Sequence, residues 1–512
     1  MKRNQIWKIS LSIVFALLTL NISAQKPSNV DVEWGQELKR PAYTTVKKIV
    51  GTDNNGMYVW REKTRNRHYI EHYDNDMNLK KSNEMDIEMG WVDKTIEDVI
   101  AFNDKLILLT SFYSRKDDVN RLFAQNIDKK TMTLSKEAPV IARIPARKSY
   151  NSGLFDHAIS QDSTHLLIYN EMPYDRGGPQ KMAFRVFDSQ FNRVWKKDVT
   201  LPYPDRLFNV TKYRVDDRGN VYVMGKLYKD KVRERRKGRP NYQYLIIAYT
   251  ENGERVKEYK INLEKEFISE LTFRVAKNGD LICAGFYSER RSYGLKGAFY
   301  FRVNAITEQL YNIGTEPFSQ EFLAQFMSER RAARGRELYN YDLDRLIMRS
   351  DGGALLIAEQ YYVRVIRNQD IYGNWTENYT YYYNDIIAVN INPTGKIAWT
   401  TKIPKRQIDG TGLISSYAMT IARDKIYFIF NDNPKNLTIK DERRIKNFRG
   451  RKSIVTLVAL KPSGEYDKYP LFANRDVDIV TRPKICRQVS KNELIVYGEY
   501  RKRYKFGRVT FK

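Results

Sequence analysis

The stretch Arg218-Gly219-Asn220-Val221-Tyr222-Val223-Met224-Gly225 decides how the chain is read, because a polar turn feeds straight into a β-prone apolar run. The pattern recurs at Asn55-Gly56 before Met57–Trp60, at Asn103-Asp104 before Lys105–Leu109, and at Ser163-Thr164 before His165–Tyr169. It returns at Asn278-Gly279 before Asp280–Gly285 and at Gly352-Gly353 before Ala354–Ala358. The last two copies are Arg423-Asp424 before Lys425–Phe430 and Lys491-Asn492 before Glu493–Gly498. Anchored on the first apolar residue of each run (57, 106, 166, 221, 281, 355, 426 and 494), the copies lie 49 to 74 residues apart.

Each copy has companions. FNVTKYRV (208–215) precedes the fourth run, and YLIIAYT (244–250) and RVKEYKINL (255–263) follow it. The sixth continues as IIAVNI (386–391) and KIAWTTKI (396–403), the seventh as IVTLVAL (454–460) and EYDKYPLF (465–472). Four strands per unit, joined by Gly/Asn/Asp/Pro turns and repeated at this period, predict an all-β β-propeller of four-stranded blades. Eight blades are expected, with seven as the alternative because the first two copies are short and weakly patterned. An aromatic content of 13% suits strands packed on half-buried faces.

The ends support a closed ring. The eighth unit stops after three strands at Arg503–Lys512, while Val30–Leu38 (VDVEWGQEL) resembles the Trp-marked fourth strands at 193–201 and 396–403. The N-terminal strand is therefore expected to complete the C-terminal blade, removing both open edges. Ahead of it, Lys2, Arg3 and Lys8 precede the apolar Ile9–Ile22, and Ser23-Ala24 offers a cleavage site. Residues 1–24 read as a signal peptide and 25–512 as one exported domain without a membrane span.

Two cysteines, Cys283 and Cys486, fall in units that are not neighbours, which predicts free thiols rather than a bridge. His68 and His72 sit in RHYIEHY, which reads as a strand, and the histidines lack a metal-ligand pattern. No cofactor or metal site is assigned. There is no GxSxG elbow, HExxH, P-loop or dinucleotide fingerprint, so no catalytic residue is assigned either.

In a meander the second-to-third and fourth-to-next connections share one face. The insertions 170–182, 229–241, 314–341, 364–384 and 432–452 are all expected there, which marks a working face. That face is basic. Lys229–Arg239 holds seven cations and two anions, Asp432–Lys452 eight and three, and Arg501–Lys505 adds a third cluster. Cations gathered on one surface steer anionic partners, whereas each run alone would read as a solvated loop tip. The candidate partner-binding residues are Arg235, Arg236, Arg290, Arg291, Trp375, Arg444, Arg449 and Arg501. Tyr381, Tyr382 and Tyr383 read equally as contacts or as the start of a strand. In Pro317–Arg336 the spacing of Phe318, Phe322 and Phe326 predicts a helix opened by Pro317, capping the rim or serving a partner.

The turn–strand units, Trp-marked fourth strands and ring-closing ends resemble exported bacterial β-propellers, an architectural resemblance spanning 31–512. The Tyr/Asn/Lys-rich texture and signal are similar to those of secreted Bacteroidota proteins. The eighth unit consumes the last residues, which points to the periplasm or the periplasmic face of the outer membrane, with an extracellular location as the alternative. Two function classes follow. One is a non-enzymatic binding or scaffold module docking an acidic protein or envelope component, an outer-membrane protein complex included. The other is a lyase or hydrolase of an anionic polysaccharide. Nucleic acid fits export poorly.

Overall fold

The computed structural model describes residues 27–512 except 65, 90, 91, 147, 176, 264, 291, 292 and 371, so the expected signal segment lies outside the described residues. Sheet 1 comprises Thr44–Asp53, Gly56–Lys63, Arg67–Tyr73 and Leu79–Glu84. Sheet 2 comprises Thr95–Phe102, Lys105–Ser114, Val119–Ile127 and Val140–Pro145. Sheet 3 follows with Leu154–Ile159, Leu166–Glu171, Pro179–Phe187 and Arg193–Pro204. Sheet 4 is Phe208–Val215, Val221–Tyr228, Tyr242–Thr250 and Arg255–Ile261. Sheet 5 is Phe267–Val275, Leu281–Ser288, Gly297–Val303 and Leu310–Pro317. Sheet 6 is Tyr341–Met348, Ala354–Gln369, Trp375–Ile391 and Ile397–Ile403. Sheet 7 is Ala418–Ala422, Lys425–Asp432, Ile454–Leu460 and Tyr466–Ala473. In sheet 8, Arg487–Ser490, Glu493–Tyr500 and Arg503–Phe511 are joined by Val30–Trp34 from the other end of the chain. Every repeat run picked out above is the second strand of its sheet.

The sheets form a circle. First strands of sheets 1 to 4 touch in sequence, as do those of sheets 5 and 6, 7 and 8, and 8 and 1. Lys212 Nζ donates to Thr272 Oγ1 (3.2 Å) between sheets 4 and 5. Tyr417, just before sheet 7, donates to Asp344 of sheet 6 (2.7 Å). The protein is a β-propeller, with first strands around a central channel and fourth strands outermost.

Closure pairs Val30 with Phe511, Val32 with Val509 and Trp34 with Gly507, and Leu38–Lys39 pairs with Arg503–Tyr504. Sheets 1 and 8 then share a buried polar seam. Arg61 grips Glu71 through Nε and Nη2 (2.6 and 3.1 Å), and Tyr73 donates to the same carboxylate (2.8 Å). Tyr504 of sheet 8 meets the Tyr73 hydroxyl at 3.1 Å and carries the Arg61 guanidinium 4.4 Å above its ring. Arg487 Nη1 donates to the carbonyls of Ile49 and Val50 (both 2.7 Å) across the same seam.

A contact recurs between neighbouring sheets, the outer strand against the short turns of the next sheet. Trp195 donates Nε1–H to the Gly219 carbonyl (3.0 Å), and its ring lies where a Cβ on Gly253 would meet it at 2.9 Å. Trp399 of sheet 6 packs on sheet 7 in the same way, donating to the Pro462 carbonyl (2.9 Å) over Gly464. Where no Trp is present, Gly314 packs backbone to backbone on Gly395. Gly464 sits at φ +90°, with the Trp399 ring 2.6 Å from any added Cβ.

Two expectations are corrected. Pro317 does not open a helix; it ends a strand, and Ser319 caps Gln320–Ala324 by accepting from Phe322 N. The expected single helix is two short ones, the second being Glu329–Ala333. Phe318, Phe322, Leu323 and Ala332 are buried against sheets 5 and 6, so the rim-capping reading of the Phe stripe holds. Residues 364–384 are likewise not a loop, since the second and third strands of sheet 6 run on as a ribbon to Gln369 and Trp375. Tyr381, Tyr382 and Tyr383 are strand residues. Among the described residues no helix is long and apolar enough to cross a membrane.

Gly464→Ala is expected to lower stability by about 1–3 kcal/mol, through positive-φ strain and collision with Trp399. Gly410→Ala, where nothing lies within 4 Å of an added Cβ, should leave it unchanged; thermal melts of both check this.

Candidate functional site

Alternation of direction puts the second-to-third and fourth-to-next connections on one face, and the elaborations gather there. They are the hairpin Arg235–Arg236/Arg239–Pro240, the two short helices, the projecting ribbon of sheet 6, and residues 433–453 with their three short 3₁₀ turns. The opposite face carries turns such as 216–220 and 461–465, shaped by Asx contacts like Asp216 accepting from Arg218 N (3.0 Å).

The described candidate arginines fall on four sheets of the elaborated face, two on either side of sheet 6. Arg235 and Arg236 are in sheet 4, Arg290 in sheet 5, Arg444 and Arg449 in sheet 7, and Arg501 in the tight turn of sheet 8. Arg291 lies outside the described residues. Arg236 is paired with Asp230 (3.1 Å) and Arg444 with Asp441 (3.3 Å), although the Arg444 side chain stays 81% exposed. Among the described residues no carboxylate is within 4 Å of the side chains of Arg235, Arg290, Arg449 or Arg501. Arg501 lies instead against the Tyr500 ring (5.3 Å). Trp375 sits at the ribbon end, 65% exposed, beside the exposed Tyr372 and Tyr379. The ribbon holds this aromatic tip rigidly: Tyr362 and Tyr382 stack across it at 4.4 Å, and Gln407–Asp409 brace its base.

At the ribbon base the insertions enclose a polar cavity of about 440 Å³ that the sequence did not reveal. Phe326 and Tyr341 line one side, Tyr362 and Tyr382 another, and Lys402 and Arg406 its floor. Lys402 donates to the Gln325 carbonyl (3.0 Å) and lies 3.7 Å from both Asp385 and Glu442. Lys405 is wholly buried, pairs with Glu359 (2.6 Å), and donates to the Tyr383 carbonyl and Gln407 (2.8 and 3.0 Å). Burial pushes the Lys405 pKa down and the Asp385 pKa up. These groups satisfy one another, so they fix where ribbon and loop meet.

The channel wall holds a second set of groups absent from the sequence reading. Burial, reinforced by the nearby Asp342, pushes Glu270 up to about 7. Asp344, which accepts from Tyr417, is pushed up to about 6, again chiefly by burial. Lys212, Arg214, Arg274 and Arg345 lie along the same first strands, nearer the short-turn face.

The expected free thiols are both found, Cys283 buried and Cys486 pushed up to about 12 by burial. The strand reading of RHYIEHY holds: His68 Nδ1 accepts from Trp60 (3.3 Å), and His72 stacks on Tyr58 at 5.1 Å.

No protein-family model and no curated protein matches the sequence. Among solved structures, the chain is similar to the WD40 domain of SCAP from fission yeast, at 9% identity and a TM-score of 0.40. That match covers 94% of this chain and 95% of that one. A protein of unknown function from Bacteroides caccae matches at 12% identity and 0.26, covering 72% and 94%. The NanB sialidase from Streptococcus pneumoniae matches at 7% and 0.32, covering 94% of each chain. The fold assignment rests on strand order and register.

A carboxyl whose folded pKa is raised contributes stability below its unfolded value and loses it as pH rises through the folded value. For Glu270 that window runs from its ordinary 4.5 to about 7. The melting temperature of Glu270→Gln minus that of the parent is therefore expected to be more positive at pH 8 than at pH 5. Paired melts at the two pH values check the sign.

Proposed function

We propose that the protein is a non-enzymatic, exported binding or scaffold module whose elaborated face docks an acidic protein or envelope component. The observation that carries this reading is the gathering of elaborations on one face, where an aromatic ribbon stands between sheets that carry arginines with no carboxylate partner among the described residues. Aromatic and Arg side chains are the residue types that anchor interfaces, and rim charges govern encounter and salt dependence. The buried Lys405–Glu359 pair and the stacked tyrosines hold the ribbon fixed, so little ordering entropy is lost on docking. A periplasmic location, or the periplasmic side of the outer membrane, follows from the amino-terminal signal pattern. An outer-membrane assembly is the partner class this location favours.

One observation favours a second reading, the lyase or hydrolase of an anionic polysaccharide. Glu270 and Asp344 are channel carboxyls held toward neutrality, the state a general acid needs. The first reading is preferred because the elaborations ring the face rather than the channel wall.

Neutralising Arg235, Arg290, Arg449 and Arg501 to Gln is expected to leave melting unchanged, since exposed charges contribute about 0–1 kcal/mol each. The same variant should release the partner captured from the native envelope. Capture by the parent should also weaken with salt, as screening sets in over about 8–10 Å. An unchanged partner yield and salt response would reject the basic face as the contact. Shortening of a uronate polysaccharide, abolished by Glu270→Gln, would favour the second reading.

A further inference from the structure

The short-turn mouth of the channel carries a feature that docking on the opposite face does not use. Lys212 and Arg214 alternate on the first strand of sheet 4, and Thr272 and Arg274 on that of sheet 5. This spacing turns each pair to the same side of its strand. Arg345 follows a register shift in the first strand of sheet 6, which re-aims its side chain. The four cations act on one another: Arg214, Arg274 and Arg345 all lower the pKa of Lys212, which burial and this field together bring to about 8. Arg214 is brought down to about 10 by burial and by Arg274.

Glu270 acts on Lys212 and Asp344 on Arg345 from the same first strands, but burial holds both carboxyls toward neutrality. Among the described residues none of the four lies within 4 Å of a carboxylate, and Arg214 Nε is buried without a hydrogen-bond partner. Carboxylates are close by, but turns occupy them. Asp216 accepts from Arg218 N, from Asn220 N and Nδ2, and from the Tyr222 hydroxyl, at 2.9–3.0 Å. Asp162 accepts from Ser160, Thr164 N and the Thr164 hydroxyl, and Asp217 from Asp162 N. Between these turns and the arginines lies a cavity of about 410 Å³, with Arg214, Arg218, Arg274 and Lys277 in its wall beside the turn-held Asp162, Asp216 and Asp217.

We propose that this mouth is a binding site for a phosphate-class oxyanion, held by Arg214 and Arg274 with Lys212 and Arg345 completing the field. Guanidinium forks match the oxygens of phosphate in pairs, and a dianion offsets the mutual repulsion of the four cations. The ligand is free phosphate or the end of a phosphomonoester, two sources with one recognising chemistry. This inference is independent of the docking face.

The test compares melting of the full mature protein in inorganic phosphate, in glycerol phosphate and in sodium chloride, all at equal ionic strength. At least one phosphate probe is expected to raise Tm over chloride by about 2 °C or more. Arg214→Gln/Arg274→Gln should lose that rise while melting no lower than the parent in chloride, because like charges have been removed. Arg235→Gln/Arg290→Gln should keep it. A rise with inorganic phosphate supports the site as a free-anion site, and one with glycerol phosphate alone supports a phosphomonoester site. No rise with either probe, or a rise that the Arg214/Arg274 variant retains, would overturn the proposal. If that variant does not fold, Lys212→Met titrated with phosphate by calorimetry decides: weakened binding supports the site and unchanged binding overturns it.

Discussion

Five backbone pairings between Val30–Trp34 and Gly507–Phe511 hold the two ends of the chain in one sheet, and the remaining architecture presupposes them. Without them the eighth sheet ends on a bare strand, and the seam to sheet 1 has no fixed partner. An exposed edge invites pairing with other chains, and closure removes it. The pairing also places Tyr504 over Arg61. The almost fully buried bidentate Arg–Glu pair is supported by Tyr73, which donates to Glu71, and by the Tyr504 ring beneath the guanidinium, while Arg61 Nη1 has no hydrogen-bond partner among the described residues. Trp34 meanwhile packs edge-on to Phe472 of sheet 7 (5.0 Å), so this one strand ties sheets 7 and 8 together.

Around the rest of the circle the outer strand docks on the next sheet's turn. Glycine is required where a Trp face or a second backbone approaches, as at Gly253, Gly395 and Gly464. The scaffold thus uses its short-turn side for packing between sheets and leaves the other side free to vary. Insertions there cost little, because loop closure grows only slowly with length. The rigid ribbon, the helical rim cap and the basic loops are therefore consequences of the same asymmetry that locks the ring.

Much of this was legible in the chain because a strand buried on both faces has a distinctive local signature. Runs such as Val221–Gly225 and Ile454–Leu460, the latter with Thr456 as its one polar residue, are buried at every position, and each became an inner strand. The Trp-marked strands were equally readable: Trp195, Trp399 and Trp34 all stand on fourth strands, the first two docked on the next sheet's turns and Trp34 on Phe472. The ribbon was not. Beyond Tyr361 it is no longer covered on both sides, and its alternating Tyr, Thr, Asn and Arg resemble a loop until the cross-strand pairs are known. The helix prediction failed at Pro317 because Ser319 supplies the cap two residues later. Of the candidate arginines, the structure separates those paired locally, Arg236 and Arg444, from those left open. The channel charges were invisible for a topological reason. Lys212, Arg274 and Arg345 each look like an ordinary solvent-facing strand residue, and only ring closure places three separate strands side by side.

The central claim is that the amino-terminal strand completes the ring, and deletion of residues 25–40 from the mature protein measures it directly. The account predicts a large fall in melting temperature with aggregation through the exposed Arg503–Phe511 edge. It also predicts recovery of the parental melt when a peptide spanning 27–40 is added. A truncated protein that remains monomeric and melts as the parent does would contradict it.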